Sequence, residues 1–314
     1  MKRNVVLTER DEALLESLLQ YRYLSTTQLQ RLHFPSLQTA TRRLRLLAEL
    51  DLVDSFRAPG VDERLIMLKD KGARLVADRL DVPLEQLNWK IRRQPKDYLF
   101  LKHFLATGDF RIALTKACRR RPGLTLLGFI PEHLGEKNSK GNVKKYIRDV
   151  VADAAHRGRR IVHTPDAVFA LERNGTPALF FLEIDRGTEV LNDAERGVLK
   201  AFRFYLKYLL AKDVPYQRYQ DDFGARQAFK GFRVLFVTTS KKRLENMRAL
   251  GSQLDIKPAS AKRFLWLTTA ESVDEVRILG QVWASLDVQD GSDYGIVPID
   301  PSLKEQDHGY QTQR

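Results

Sequence analysis

Apolar residues recur along this chain first at helical spacing and later in strand-like runs. Leu14, Leu15, Leu18 and Leu19 follow Thr8, a natural N-cap with Asp11 three residues on, and predict a first helix. Ser25 or Thr26 caps a second, with Leu29, Leu32 and Phe34 apolar. Pro35-Ser36 breaks that helix and caps a third, SLQTATRRLRLLAELDLV. LVDSFR and RLIMLK then read as a hairpin across the Pro59-Gly60 turn, and ARLVADRL as a further helix.

At 100° per residue, Ala40, Leu44 and Leu47 of the third helix fall together and face a core. Gln38, Thr39, Arg42 and Arg45 lie opposite, with Arg43 on the flank. Arg, Gln and Thr are residues that read base edges or grip phosphates. Three helices, a hairpin and a helix within residues 1–80 resemble a winged helix-turn-helix. That resemblance implies DNA contact through the third helix, with Arg57 and Arg64 of the hairpin loop along phosphates. Winged helices also bind proteins, which is the competing reading.

Residues 81–96 read as a linker, and residues 97–288 as a second domain. DYLFLKHFLATGDFRIALTKACRRR predicts a long helix stopped by Pro122-Gly123, followed by the strand LTLLGFI and a basic mobile loop containing Lys144 and Lys145. HTPDAVFAL predicts a strand starting at Pro165-Asp166, Asn174-Gly175 a hairpin turn, and ALFFLEIDRGT a buried strand ending in Glu183 and Asp185. A helix over DAERGVLKAFRFYLKYLLAK, a strand FRVLFVTTS, a helix KKRLENMRALGSQ and a strand FLWLTTAE complete the pattern. Residues 289–314, polar with Gly and Pro, read as a flexible tail. The fold class expected is α+β: an N-terminal winged helix-turn-helix plus an α/β domain around a central mixed sheet.

Charge sharpens this picture. The 314 residues hold 53 Lys and Arg against 40 Asp and Glu, a formal +13. The excess is local: residues 91–164 carry a net +11, residues 1–90 only +2, and residues 165–314 none. Such a block marks a polyanion-facing surface. The lone cysteine, Cys118, excludes an internal disulfide and argues against a cysteine-based zinc site. No apolar run suggests a signal peptide or membrane span, so a cytoplasmic protein without membrane partners is expected. P-loop, HExxH and Ser-His-Asp signatures are missing from the sequence.

Candidate chemistry gathers at the strand ends. Asp166, Glu183 and Asp185 are placed to meet at one end of the sheet, where converging carboxylates call for a divalent cation or basic partners. Mg²⁺ or Mn²⁺ is the expected cofactor if the site is active. The alternative is pairing of Glu183 and Asp185 with Arg186, Lys200 or Arg203. The order helix, strand, strand, strand, helix, strand resembles the PD-(D/E)XK, restriction-endonuclease-like superfamily. That resemblance expects a lysine where Asp185 stands, and assigns its role to Lys200 on the following helix. There Arg196, Lys200, Arg203 and Lys207 form one basic stripe, opposite Leu199, Phe202, Leu206 and Leu209.

HxxLATGDFRIAL, GFIPE, TPDAVFAL and FFLEIDRGTE together resemble the plasmid replication-relaxation family over roughly residues 5–240. The resemblance implies binding to double-stranded DNA in plasmid or mobile-element replication, mobilisation or transcriptional control. It also implies that His103 and Glu132 sit near the acidic cluster. A Mg²⁺-dependent endonuclease, and an interaction factor for replication or conjugation proteins, are the alternatives. Homodimerisation stays open.

Overall fold

The structure, a computed structural model, describes residues 6–87, 89, 98–137, 143–153, 159–188, 190–193 and 197–297. The chain forms two compact units, divided between Ile112 and Ala113.

In the first unit α1 (Glu9–Tyr21), α2 (Thr26–His33) and α3 (Leu37–Glu49) precede the hairpin of β2 (Val53–Phe56) and β3 (Leu65–Leu68), and α4 (Asp70–Leu80) follows it. The short β1 (Leu24–Ser25) completes an antiparallel sheet in the order β1-β3-β2. The helix starts lie where the polar residues dictate. Thr8 and Asp11 form a reciprocal capping box, as do Ser25 and Gln28, and the Ser36 hydroxyl accepts the Thr39 amide. Each cap supplies a partner to amides the helix itself leaves unpaired. Leu14, Leu18, Leu29, Ala40, Leu44, Leu47, Ile66 and Val76 make the core.

The helix α5 (Tyr98–Arg119) runs across the division. Its early turns belong to the first unit: Leu105 accepts from the Gln28 carboxamide at 2.9 Å, and Asp109 pairs with Arg31 at 2.7 Å. The expected linker is partly packed, since Leu84, Leu87 and Trp89 lie against this core. Residues 90–97 lie outside the described residues.

The second unit is built on a seven-stranded mixed sheet in the order β14-β13-β12-β11-β10-β9-β4. Its members are β4 (Leu124–Pro131), β9 (Ala167–Arg173), β10 (Thr176–Ile184), β11 (Phe232–Thr238), β12 (Leu265–Thr269), β13 (Trp283–Ser285) and β14 (Asp293–Tyr294). β10 pairs antiparallel with β9 and parallel with β11, which is parallel to β12. The β9–β10 turn has positive φ at both Asn174 and Gly175, which suits the twist of a two-residue hairpin. The parallel pairs require crossovers, supplied through α6 (Gly197–Leu209) and α8 (Lys241–Ser252). α6 has a broad apolar face, and Phe202, Phe204, Tyr205, Leu206 and Tyr208 are fully buried in a core with Phe181, Phe232, Phe236 and Met247. A four-residue helix, α7 (Tyr219–Asp222), lies between α6 and β11.

The segment expected as a mobile basic loop is instead a pair of strands, β5 (Gly135–Lys137) and β6 (Val143–Lys145), flanking residues outside the description. A second ribbon, β7 (Asp149–Asp153) with β8 (Arg159–His163), follows. It is docked by Asp149, which is buried and accepts from Arg218 at 2.9 Å and the Tyr219 hydroxyl at 2.7 Å. Residues 289–297, expected as part of the tail, carry β14. Tyr294 stacks on Trp266 at 5.1 Å, and Ile296 and Val297 are buried. Residues 298–314 lie outside the described residues. No described helix is long and apolar enough to cross a membrane.

Candidate functional site

Two places carry the predicted site residues. The first is the outer face of α3. Gln38, Thr39, Thr41, Arg42 and Arg45 are exposed there, and Ala40, Leu44 and Leu47 are buried on the other side. Arg43 departs from the expectation of a DNA contact. Its guanidinium turns inward onto Asp11, with Nε 2.6 Å from Oδ1 and a second contact to Oδ2, and also donates to the Val6 carbonyl at 3.1 Å. The Asp11 carboxyl is only 1% exposed. Burial raises its pKa, but Arg43 and the Thr8 bonds win and hold it below the ordinary carboxylate value. A buried carboxylate left without this cation is costly, so Arg43 is committed to fixing α3 against the start of α1.

The hairpin loop is fastened as well. The Thr26 amide donates to the Arg64 carbonyl at 3.1 Å, and the Thr27 amide to Glu63 at 3.0 Å. These amides open α2, where a carboxylate also meets the positive end of the helix dipole. Arg57 and Arg64 are exposed, with the Arg64 guanidinium donating to the Ser55 hydroxyl at 3.3 Å.

The second place is the end of the mixed sheet where β9 begins and β10 finishes. The Asp166 amide donates to the Leu182 carbonyl at 3.0 Å, and its carboxyl accepts the Ile184 amide at 2.6 Å. The antiparallel register that aligns Ala167 with Leu182 therefore brings Asp166 to the level of Glu183. Glu132, just after β4, donates its amide to the Asp166 carbonyl at 2.8 Å. A carboxylate oxygen of Glu132 and one of Asp166 lie within 4.8 Å of each other. Lys145 of β6 is ion-paired with Glu132, so it serves this acidic group where an external phosphate contact was expected.

Glu183 faces α6 and β8. Its Oε1 is 2.7 Å from His163 Nε2 and accepts the Tyr205 hydroxyl at 2.5 Å. Burial pushes the Glu183 carboxyl above its ordinary value, against the pull of His163. Burial also works against a charge on His163, yet the Glu183 carboxylate holds the imidazole above its usual value. Both directions mean that the pair keeps a proton to higher pH than isolated groups would. Lys200, half-buried on α6, opposes a positive charge on His163.

Asp185 does not join them. Arg243 of α8 grips it through both oxygens at 2.5 and 2.7 Å, the Thr238 hydroxyl donates at 2.6 Å and the Gly187 amide at 3.1 Å. These donors outweigh burial and hold its pKa below the ordinary carboxylate range. Asp185 shares a face with Glu183, but its neighbour is α8 and that of Glu183 is α6. Among the described residues, Asp166, Glu183 and Asp185 do not form a converging ligand set. The pairing of Asp185 is thus with Arg243, a residue the sequence reading did not name.

Arg203 is exposed on α6 and Lys207 half-buried, both away from the packed side of the helix. Arg196 and the Lys144 side chain lie outside the described residues. His103 lies on the part of α5 that belongs to the first unit, and its carbonyl accepts the Thr107 hydroxyl at 3.2 Å. Cys118 is buried, its thiol pushed up to about 11 by burial, which keeps it in the unreactive thiol form.

His163 and Tyr205 were missed by sequence reasoning. His163 ends a strand that the sequence did not announce, three residues before Asp166, and that spacing was the available signal. Tyr205 lies in the apolar stripe of α6 and reads as core.

Residues 15–219 match the family model described as replication-relaxation. No curated protein matches the chain.

Proposed function

The chain belongs to the replication-relaxation family, and from that premise we propose that it is a DNA-binding protein serving the replication, mobilisation or transcriptional control of a plasmid or mobile element. In this reading the first unit is a winged helix-turn-helix. The element order α1-β1-α2-α3-β2-β3, with a three-stranded antiparallel sheet, supports it. The observation that carries it is the outer face of α3, where Arg42 and Arg45 stand exposed while Arg43 is spent on internal structure. Recognition helices enter the major groove by such a face.

The test is DNA affinity of the full chain as a function of salt. Each phosphate contact contributes about 0.9 to the log–log slope. Arg42→Ala with Arg45→Ala should weaken binding and reduce the slope by roughly one to two. Unchanged affinity in the double variant would remove α3 from the interface.

A second reading is favoured by the Glu132–Asp166 pair beside Glu183. The second unit is then a PD-(D/E)XK-like domain. Carboxylate oxygens suit a hard cation such as Mg²⁺ or Mn²⁺, and Glu132 and Asp166 are the carboxylates that would hold it. When bound, such an ion supplies Lewis-acid stabilisation of phosphate charge. The protein's own part is to hold Asp166 through the Ile184 amide and to orient Glu183 through His163 and Tyr205. Nicking of supercoiled DNA with Mn²⁺, lost in Asp166→Ala and Glu183→Ala, would establish an endonuclease. Absence of nicking across varied substrates leaves the unit as a DNA-gripping scaffold.

A further inference from the structure

The face of α3 carries more than positive charge. Leu37, its first residue, is 51% exposed. Gln38, Thr41, Arg42 and Arg45 are exposed beside it. Residues 37, 41 and 45 form one line at a spacing of four, with 38 and 42 on the adjacent line. Two hydroxyls on this helix are already used. Thr41 Oγ1 donates to the Leu37 carbonyl at 2.8 Å, and Thr39 Oγ1 shares a hydrogen bond with Ser36 Oγ at 2.9 Å. Thr41 therefore has its hydrogen spent within the helix; its oxygen can only accept, and its methyl group is the apolar contact it offers. Near the helix start, where recognition helices meet base edges, the face presents the Gln38 carboxamide, Leu37 and the Thr41 methyl, with the mutually bonded Ser36 and Thr39 hydroxyls exposed beside them. Arg42 and Arg45 supply charge further along.

We propose that α3 reads A·T base pairs in the major groove, with Gln38 as the specificity-determining residue. A Gln carboxamide fits the N6 and N7 edge of adenine, and apolar groups fit the C5-methyl of thymine. Gln38 takes the adenine, and Leu37 and Thr41 cover thymine methyls of the same or the adjacent pair. Arg42 and Arg45 hold flanking phosphates. A protein partner is the other occupant of such a face. The two arginines and the family's link to replication favour duplex DNA, whose charge they complement. This inference rests on the DNA-binding reading and adds to it the kind of sequence bound.

The experiment uses the full chain. Duplexes of random sequence are selected at moderate salt, and affinities for the enriched duplex and its single A·T→G·C replacements are measured by fluorescence anisotropy. One A·T pair should be found whose replacement weakens wild-type binding roughly ten-fold. In Gln38→Ala that penalty should fall to about two-fold or less, with residual affinity retained through Arg42 and Arg45. Leu37→Ala should lower affinity for the enriched duplex and leave the adenine preference in place. Because Gln38 is exposed, unchanged thermal unfolding of its variant separates lost reading from lost folding. Retention of DNA without enrichment overturns the inference. So does a motif whose base preference survives Gln38→Ala. Both outcomes leave the DNA-binding reading standing. Failure of wild type to retain any duplex at low salt overturns that reading too, and assigns the face to a protein partner.

Discussion

Asp11 and Arg43 set the residue scale, because removing Arg43 leaves a carboxylate that is only 1% exposed without its cation, whereas Arg43 itself keeps partial access to water. Arg43→Ala should cost about 3 kcal/mol in urea unfolding, the usual range for leaving a buried charge uncompensated, and Asp11→Asn should cost less. The folded pKa of Asp11 is depressed, so its contribution is complete above the unfolded value of about 3.9 and is lost as pH falls through the folded value. The stability gap between wild type and Asp11→Asn should hold from pH 7 to about 5 and close in more acid solution. Asp185 is also held below its ordinary value, and Asp185→Ala, which removes the carboxylate that Arg243 grips through both oxygens, should be destabilising. The sequence showed which residues are acidic and on which strands they end. It did not show which basic residue each acid takes, because Arg43 and Arg243 reach their partners across long stretches of chain.

Among elements, the ones announced by local chemistry were legible. Thr8, Ser25 and Ser36 mark their helices by capping, and Asn174-Gly175 marks its hairpin by tolerating positive φ. The ribbons β5–β6 and β7–β8 were not legible. β5 and β6 are three residues each and mostly polar, β7 and β8 hold only short Val and Ile runs between charged ends, and what docks β7–β8 is a tertiary contact of Asp149 with Arg218 and Tyr219. That hidden element is the one that delivers His163 to Glu183. A different constraint fixes α4. A β-carbon on Gly72 would stand 2.3 Å from the Leu52 carbonyl oxygen and 2.8 Å from Leu68. Gly72→Ala should therefore cost about 1–3 kcal/mol by overpacking, despite alanine's higher helix propensity. A neutral or stabilising result would mean that α4 shifts freely against the hairpin.

Over the whole molecule, charge is unevenly distributed. The first 90 residues are nearly neutral, and the net +11 of residues 91–164 lies mostly in the second unit's sequence. Replacing Arg203 and Lys207 by Glu should lower affinity for random duplex several-fold at low salt and leave base preference unaltered, as measured by competition with an enriched duplex. The mixed sheet was legible as a class from its buried runs and turn signals. Its extent was not: β13 and β14 are too short to leave a pattern, and β14 is recognised by Tyr294 stacking on Trp266.

The pairing of β10 with β11 has a consequence for how the chain acquires its shape during synthesis. Phe56 finds Leu65 across a short loop, whereas Leu179 must wait for Phe232. Contacts so distant along the chain form slowly, since loop closure comes before any gain from pairing. Until β11 leaves the ribosome, the Leu179–Leu182 run has only β9 beside it. The β9–β10 hairpin is thus a temporary shelter for one edge of an apolar strand, and its Asn-Gly turn matters to the growing chain as well as to the finished fold.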